Sequence, residues 1–268
     1  MKLIIQIPCL NEEKTLPITI NDLPKSIPGI DEIEILIIDD GSTDKTVEVA
    51  KKLGVHHIVR FPKNRGLAEA FKAGIDACLK LGADIIVNTD ADNQYKGSDI
   101  PKLIEPLIKK EYDMVIGDRE TDTIEHFSAT KKFFQKFGSW IVRMASKTDV
   151  PDTTSGFRAY TREAALRLNI VSDYTYTLET IIQAGRKKMA VGYVKIGTNG
   201  KLRESRLFKS MWGYIKRSAI TIIRIYTMYR PLKVFMTFGF VLFFAGFVIG
   251  LRFLYYYFQG NGEGHIQS

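Results

Sequence analysis

Three polar clusters, each closing a short apolar run, carry the residue types that chemistry needs. Asp90-Ala91-Asp92 follows the run DIIVN, and Gln94 lies two residues further on. In extended or turn geometry positions i, i+2 and i+4 project to one side, which gathers two carboxylates and an amide oxygen. That donor set suits a hard divalent cation, Mg²⁺ or Mn²⁺, shared with substrate phosphates. Asp39-Asp40-Gly41-Ser42-Thr43-Asp44 closes IEILII and opens a helical pattern. Ser42 or Thr43 is a natural N-cap. Capping leaves two adjacent acids at the end of an apolar strand, where a carboxylate can accept from the imino or amino edge of a nucleobase. Asn11-Glu12-Glu13 closes the first run. His56, His57, His126 and His265 form no spaced set with cysteines or acids, so no zinc site is expected. Cys9 and Cys78 suit packed thiols in a chain without a disulfide framework.

The elements that must position these clusters follow from periodicity. Short β-branched runs at 2–7, 33–38, 55–60, 84–88 and 112–116 predict strands, and helical patterns separate them at 12–26, 43–53, 66–81 and 99–110. Strand–helix alternation with near-continuous apolar strands predicts an α/β fold, a mostly parallel sheet with helices on both faces. In such sheets ligands bind at the carboxyl ends of the strands, where the polar clusters sit. No G-x-G-x-x-G follows the first strand and no G-x-x-x-x-G-K-[ST] occurs, which removes the main support for a dinucleotide dehydrogenase or a P-loop phosphotransferase.

The chain has 268 residues, 45% hydrophobic and 25% charged, with a net charge of +8. The charge is uneven, because residues 1–200 balance and nine basic side chains between Lys201 and Lys233 face Glu204 alone. The excess abuts an apolar run rather than spreading over a groove-reading element, so no nucleic-acid partner is expected. That run, Val234–Leu251, is free of charge and extends through the aromatic stretch 253–258. It predicts a transmembrane helix over 232–258, with Arg252 snorkelling to the far interface. The basic segment 201–231 predicts interfacial amphipathic helices on an anionic leaflet. The positive-inside rule puts 1–200 on the cytoplasmic face of a cell membrane. Met1 runs straight into LIIQI, so no signal peptide is expected. The polar tail 259–268 reads as the start of a loop leading to further membrane helices, and such an anchor is compatible with homo-oligomers.

Ile7-Pro8-Cys9-Leu10-Asn11-Glu12, IIDDGSTD (37–44), Asn64-Arg65-Gly66 and TDADNQY (89–95) together resemble family 2 glycosyltransferases of the GT-A fold. Gly117-Asp118-Arg119, VPDTTSGFRAYTREA (150–164) and RESRLFKS (203–210) resemble the polyprenyl-phosphate branch, which includes dolichyl-phosphate mannose synthase. The likeness covers about 1–230 and departs at Cys9-Leu10, where the family usually has a small residue and Tyr.

It implies a metal-dependent, inverting enzyme that moves a mannose- or glucose-type hexose from a nucleoside diphosphate sugar to polyprenyl phosphate. Pro8, Asn11, Glu12, Asp39, Asp40, Ser42, Arg65 and Gly66 would bind the donor, and Asp90, Asp92 and Gln94 the metal. Asp90, Asp92, Asp152 and Arg119 would carry the catalysis, with Asp152 and the turn Ser155–Arg158 shaping the sugar pocket. Arg119, Lys131, Lys132, Ser155, Arg158, Arg203, Ser205 and Arg206 would meet the acceptor phosphate or the leaving diphosphate. An acceptor hydroxyl would instead need a base, for which Asp152 or Glu179 could serve. A polysaccharide synthase is the competing enzyme, yet Gln183-Ala-Gly-Arg186 is followed by Lys187 rather than the Trp of Q-x-x-R-W. A non-catalytic nucleotide-sugar-binding scaffold would show a broken acidic motif, and here it is intact.

Overall fold

The computed structural model describes residues 1–120, 129–172, 175–200 and 211–259. The chain divides into two compact units, Met1–Ile222 and Ile223–Ser268.

The first unit is built on one seven-stranded sheet. In chain order its strands are β1 (Lys2–Cys9), β2 (Glu32–Asp39), β3 (His57–Arg60), β4 (Ile85–Asn88), β5 (Met114–Asp118), β6 (Arg158–Thr161) and β7 (Val191–Lys195). They lie side by side in the order β3-β2-β1-β4-β6-β5-β7. The helices of the unit are α1 (Leu16–Asp22), α2 (Thr46–Lys52), α3 (Leu67–Lys80), α4 (Ile100–Ile108), α5 (Ala129–Ser146), α6 (Arg162–Arg167) and α7 (Thr177–Arg186). Leu3, Ile4, Ile5 and Ile7 on β1, and Leu36, Ile37 and Ile38 on β2, are all sealed from solvent. A strand buried on both faces accounts for the unbroken apolar runs of the sequence. Each such side chain contributes about 1.5–3 kcal/mol of hydrophobic stabilisation.

The first five strands and four helices stand where periodicity places them, with ends shifted by a few residues. β5 begins two residues later than expected, and α1 ends at Asp22, because Leu23, directly before Pro24, is pushed out of the helical region. Five elements between 129 and 195 were not anticipated: α5, β6, α6, α7 and β7. The sheet also departs from a purely parallel one. β6 pairs antiparallel with β4 (Asn88 opposite Arg158) and with β5 (Met114 opposite Tyr160), while every other pairing is parallel.

Two features of this topology position the site. Strand order reverses at β1, which has β2 on one side and β4 on the other, and such a switch point opens a crevice at the carboxyl ends. The reversed direction of β6 then brings the chain before it, residues 152–157, to that same edge.

Beyond β7 come α8 (Met211–Tyr229) and, in the second unit, α9 (Pro231–Phe258). With 28 residues α9 is about 42 Å long, more than the roughly 30 Å of bilayer hydrocarbon. None of its residues is buried and its outward side chains are mainly Phe, Leu, Val and Ile, so its length and composition suffice to cross a membrane. α8 exposes Lys216, Arg217 and Arg224 together with Ile220 and Ile223.

Candidate active site

The loops after β1 and β2 are stitched together by their own polar side chains. Asn11, in the left-handed region at φ 55°, donates its N–H to Ser42 Oγ at 2.8 Å and accepts from Thr43 N at 2.8 Å. Glu12 N–H donates to Thr46 Oγ1 at 2.8 Å. Ser42 therefore fastens two loops and is not the N-cap its place suggested, because α2 starts at Thr46 with Lys45 at the cap position and no side-chain cap.

The two acids at the end of β2 have different surroundings. Asp40 accepts from Arg65 N at 2.7 Å and from Gly66 N at 3.0 Å, which pins the start of α3 to the sheet edge. Burial raises its proton affinity more than these two bonds and the nearby Arg65 lower it. Asp39 accepts from Ser42 N at 3.0 Å through Oδ1. Its Oδ2 is buried without a hydrogen bond and has the Arg60 guanidinium 3.2 Å away. A buried carboxylate oxygen held in this way is an acceptor in reserve. Gly41 sits between these acids and Ser42 at φ 74°, and a Cβ there would lie 2.4 Å from the Lys63 carbonyl carbon.

The acidic turn after β4 is tight, with Asn93 at φ 55°. Gln94 donates its backbone N–H to Asp92 Oδ1 at 3.2 Å and its amide to Asp92 Oδ2 at 3.0 Å. An amide that donates through nitrogen keeps its oxygen for a cation. Asp90 and Asp92 are partly exposed, and no group of three acidic, histidine or cysteine ligands forms among the described residues. Two carboxylates and an amide oxygen fit a cation that takes its remaining oxygens from a diphosphate and water.

On the same edge β5 ends at Asp118, with Arg119 directly after it. Arg119 Nε donates to Asp152 Oδ2 at 2.7 Å, while Nη2 donates to Asp152 Oδ1 at 3.0 Å and Thr154 Oγ1 at 2.9 Å. Asp152 also accepts from Thr154 N at 3.2 Å and Thr154 Oγ1 at 3.0 Å. Burial alone would raise the Asp152 carboxyl, but the Arg119 charge and these bonds hold it below the ordinary carboxylate range. Burial works against the Arg119 charge, and the paired Asp152 carboxylate more than restores it. Asp118 shifts the other way, raised by burial and by the neighbouring Asp152.

Several expected residues take other parts. Arg158 is sealed from solvent and spends its guanidinium on Ser155 O, Thr153 O, Thr177 O and Thr180 Oγ1, all within 2.9 Å. It scaffolds the 153–155 loop against α7 and cannot reach a phosphate, because its side chain points inward from β6. Ser155 is equally buried. Glu179 accepts from Val171 N at 2.9 Å, Ser172 N at 2.8 Å and Gln183 Nε2 at 3.0 Å, so it caps a loop and is not placed as a base. Gln183 also bonds Asn169, which gives the Gln183–Arg186 stretch a structural role. Pro8 and Glu12 lie half-buried and buried at the end of β1. The side chains of Lys131 and Lys132, and residues Arg203, Ser205 and Arg206, lie outside the described residues.

A buried polar network under the site was missed by sequence reasoning: Gln6, Asn88, Tyr95, Tyr176 and Gly156. Gln6 Nε2 donates to Asn88 Oδ1 at 2.9 Å, and Asn88 Nδ2 donates to Tyr176 Oη at 2.8 Å and to Gly156 O at 2.9 Å. The available signal was an uncharged amide inside each of two apolar strands.

With this geometry in hand, the comparisons with known proteins are specific. The sequence model of glycosyl transferase family 2 matches residues 4–168. The UDP-N-acetylglucosamine–dolichyl-phosphate N-acetylglucosaminyltransferase of Methanococcus voltae is 30% identical over 216 residues, 72% of this chain and 83% of that protein. The undecaprenyl-phosphate mannosyltransferase of Micrococcus luteus is 26% identical over 233 residues, 84% of this chain and 93% of that one. Among solved structures, glucosyl-3-phosphoglycerate synthase from Mycobacterium tuberculosis, in complex with Mn²⁺, UDP and glucosyl-3-phosphoglycerate, superposes with a TM-score of 0.65 at 19% identity. That match covers 85% of this chain and 79% of the other, and shows a shared GT-A fold.

Proposed function

The chain belongs to glycosyl transferase family 2, and from that premise we propose that it moves a hexose from a nucleoside diphosphate sugar to polyprenyl phosphate, with inversion. Relatives named for dolichyl-phosphate and undecaprenyl-phosphate transfer support the acceptor class. Residues 1–200 carry the catalysis, 201–231 form a basic juxtamembrane segment, and 232–258 anchor the enzyme with its catalytic part on the cytoplasmic face.

The observation that carries this reading is the state of Asp152. Its lone pairs are taken by Arg119 and Thr154, and its proton affinity is depressed, so it is a poor general base. A saccharide hydroxyl needs a base, whereas a phosphate is already an anion at neutral pH and needs only alignment. Arg119 provides that alignment. Asp152 and Thr154 engage its Nε and Nη2, and among the described residues Nη1 is left to face an incoming oxyanion.

The donor side follows from the remaining residues. Asp39 Oδ2 accepts from a nucleobase N–H, and Asp40 holds the Arg65-Gly66 segment that closes the donor pocket. Asp90, Asp92 and Gln94 would hold Mg²⁺ or Mn²⁺, as donors of the right hardness. The cation would supply positive charge against the diphosphate that leaves.

Asp118 favours a second reading. Its raised proton affinity would suit a base for a saccharide hydroxyl. The two separate in one experiment: nucleoside diphosphate release by detergent-solubilised protein from GDP-mannose and UDP-hexoses, with and without polyprenyl phosphate, for wild type and Asp118→Asn. Lipid-dependent release that survives Asp118→Asn supports the proposal. Release that is indifferent to lipid and lost in Asp118→Asn supports the hydroxyl acceptor.

A further inference from the structure

Gly156 is held on every side. Its N–H donates to Tyr95 Oη at 2.9 Å, and its carbonyl accepts from Asn88 Nδ2 at 2.9 Å and Tyr176 Oη at 3.3 Å. These partners are themselves fixed, since the Tyr95 ring stacks on Phe157 with centroids 5.1 Å apart and the Tyr176 ring on Phe71 at 3.8 Å. Gln6, Asn88 and Tyr176 are wholly buried, so the network behind Gly156 moves little.

What Gly156 faces is the acidic turn. A Cβ at this position would stand 3.2 Å from both carboxylate oxygens of Asp90 and 3.0 Å from Tyr176 Oη. Its backbone is not in the left-handed region, so conformation alone does not demand glycine. Space constrains it instead, because the Asp90 carboxylate or the Tyr176 hydroxyl would have to shift to admit a Cβ. The segment that carries Gly156 also carries Asp152 and Thr154, which hold Arg119, and ends in Arg158, which ties it to α7. One rigid segment thereby sets the stance of the acidic turn and of the guanidinium together.

We propose that Gly156 is a positioning residue for Asp90, and that its missing side chain sets the affinity of the acidic turn for a divalent cation. The inference rests on the reading of that turn as a cation site. Groups that orient metal ligands from behind typically change metal affinity by 10–100-fold when altered.

The test uses the full chain in detergent and Mn²⁺ alone, with the free-ion EPR signal reporting binding and a melting curve without metal reporting the fold. Gly156→Ala is expected to weaken Mn²⁺ binding by about tenfold or more while the metal-free protein still melts cooperatively. A folded Gly156→Ala protein that binds Mn²⁺ within twofold of wild type overturns the inference. If Gly156→Ala does not fold, Tyr95→Phe carries the test, because it removes the hydroxyl that accepts from Gly156 and leaves the ring on Phe157. A loss of affinity by a few-fold supports the proposal, and an unchanged affinity overturns it. Wild-type protein that takes up no Mn²⁺, either alone or with UDP or GDP added, overturns the cation assignment itself, and the inference with it.

Discussion

Arg119 and Asp152 form a pair in which each side chain is largely withdrawn from water, at 18% and 1% exposure. Removing one partner of such a pair leaves the other charge buried, at a cost of about 3–5 kcal/mol. Asp152→Asn is therefore expected to lower the melting temperature strongly at pH 7. The sign of the pH dependence follows from the depressed Asp152 carboxyl. Its stabilisation is complete above the unfolded value of about 3.9 and is lost as pH falls through the lower folded-state value. Wild type should thus lose melting temperature below about pH 4 by a component that Asp152→Asn lacks, and parallel curves would contradict the pairing. Arg119→Lys keeps the charge but loses the fork, so KM for polyprenyl phosphate should rise by about tenfold or more while KM for donor changes little. Asp92→Ala should abolish turnover, and metal-dependent turnover in that variant would remove the assignment. At this scale the position of the acidic residues was legible, because a polar cluster directly after an apolar run falls at a strand end, where the structure puts Asp39, Asp40, Asp90 and Asp92. Arg158 was not, since an arginine in a turn motif looks the same whether its guanidinium faces a ligand or four inward oxygens. Asp40 was legible as an acid at a strand end but not in its partners, the backbone N–H groups of a loop 25 residues away.

The elements from β1 to β5 could be read because each is a run of the right period flanked by turn residues. The region 129–195 could not. β6 has four residues and α6 six, too few for a period to show, and α7 is buried so fully that Glu179 and Gln183 interrupt its apolar pattern while lying inside. The antiparallel direction of β6 has no local signature at all, yet it delivers the 152–157 segment to the edge that carries the acidic clusters. Gly41 offers a test of the second loop. At φ 74° a Cβ costs about 1–2 kcal/mol from handedness alone. It would also press on the Lys63 backbone at 2.4 Å. Gly41→Ala should lower the melting temperature and raise the donor KM, because Asp39, Ser42 and the Asn64–Gly66 segment share that turn. An unchanged melting temperature would contradict the packing described here.

At the scale of the molecule, a catalytic unit that uses a lipid phosphate must work beside the membrane that holds it. The charge map of the sequence, neutral to residue 200 and basic before an apolar run, already implied such an arrangement, and α9 has the length and composition it requires. Deleting 232–268 should move the protein from the carbonate-resistant membrane fraction to the supernatant, and full retention would place the anchor in α8. The central claim is sugar transfer to a lipid phosphate, and the fate of the sugar tests it most directly. Full-length protein in detergent would be given Mn²⁺, polyprenyl phosphate and a nucleotide sugar labelled in its sugar, and the products partitioned between organic and aqueous phases. The account predicts label in the organic phase, one sugar for each lipid phosphate, and none there when the lipid is omitted. Nucleoside diphosphate released with all of the label remaining in water, whether or not lipid is present, would contradict it.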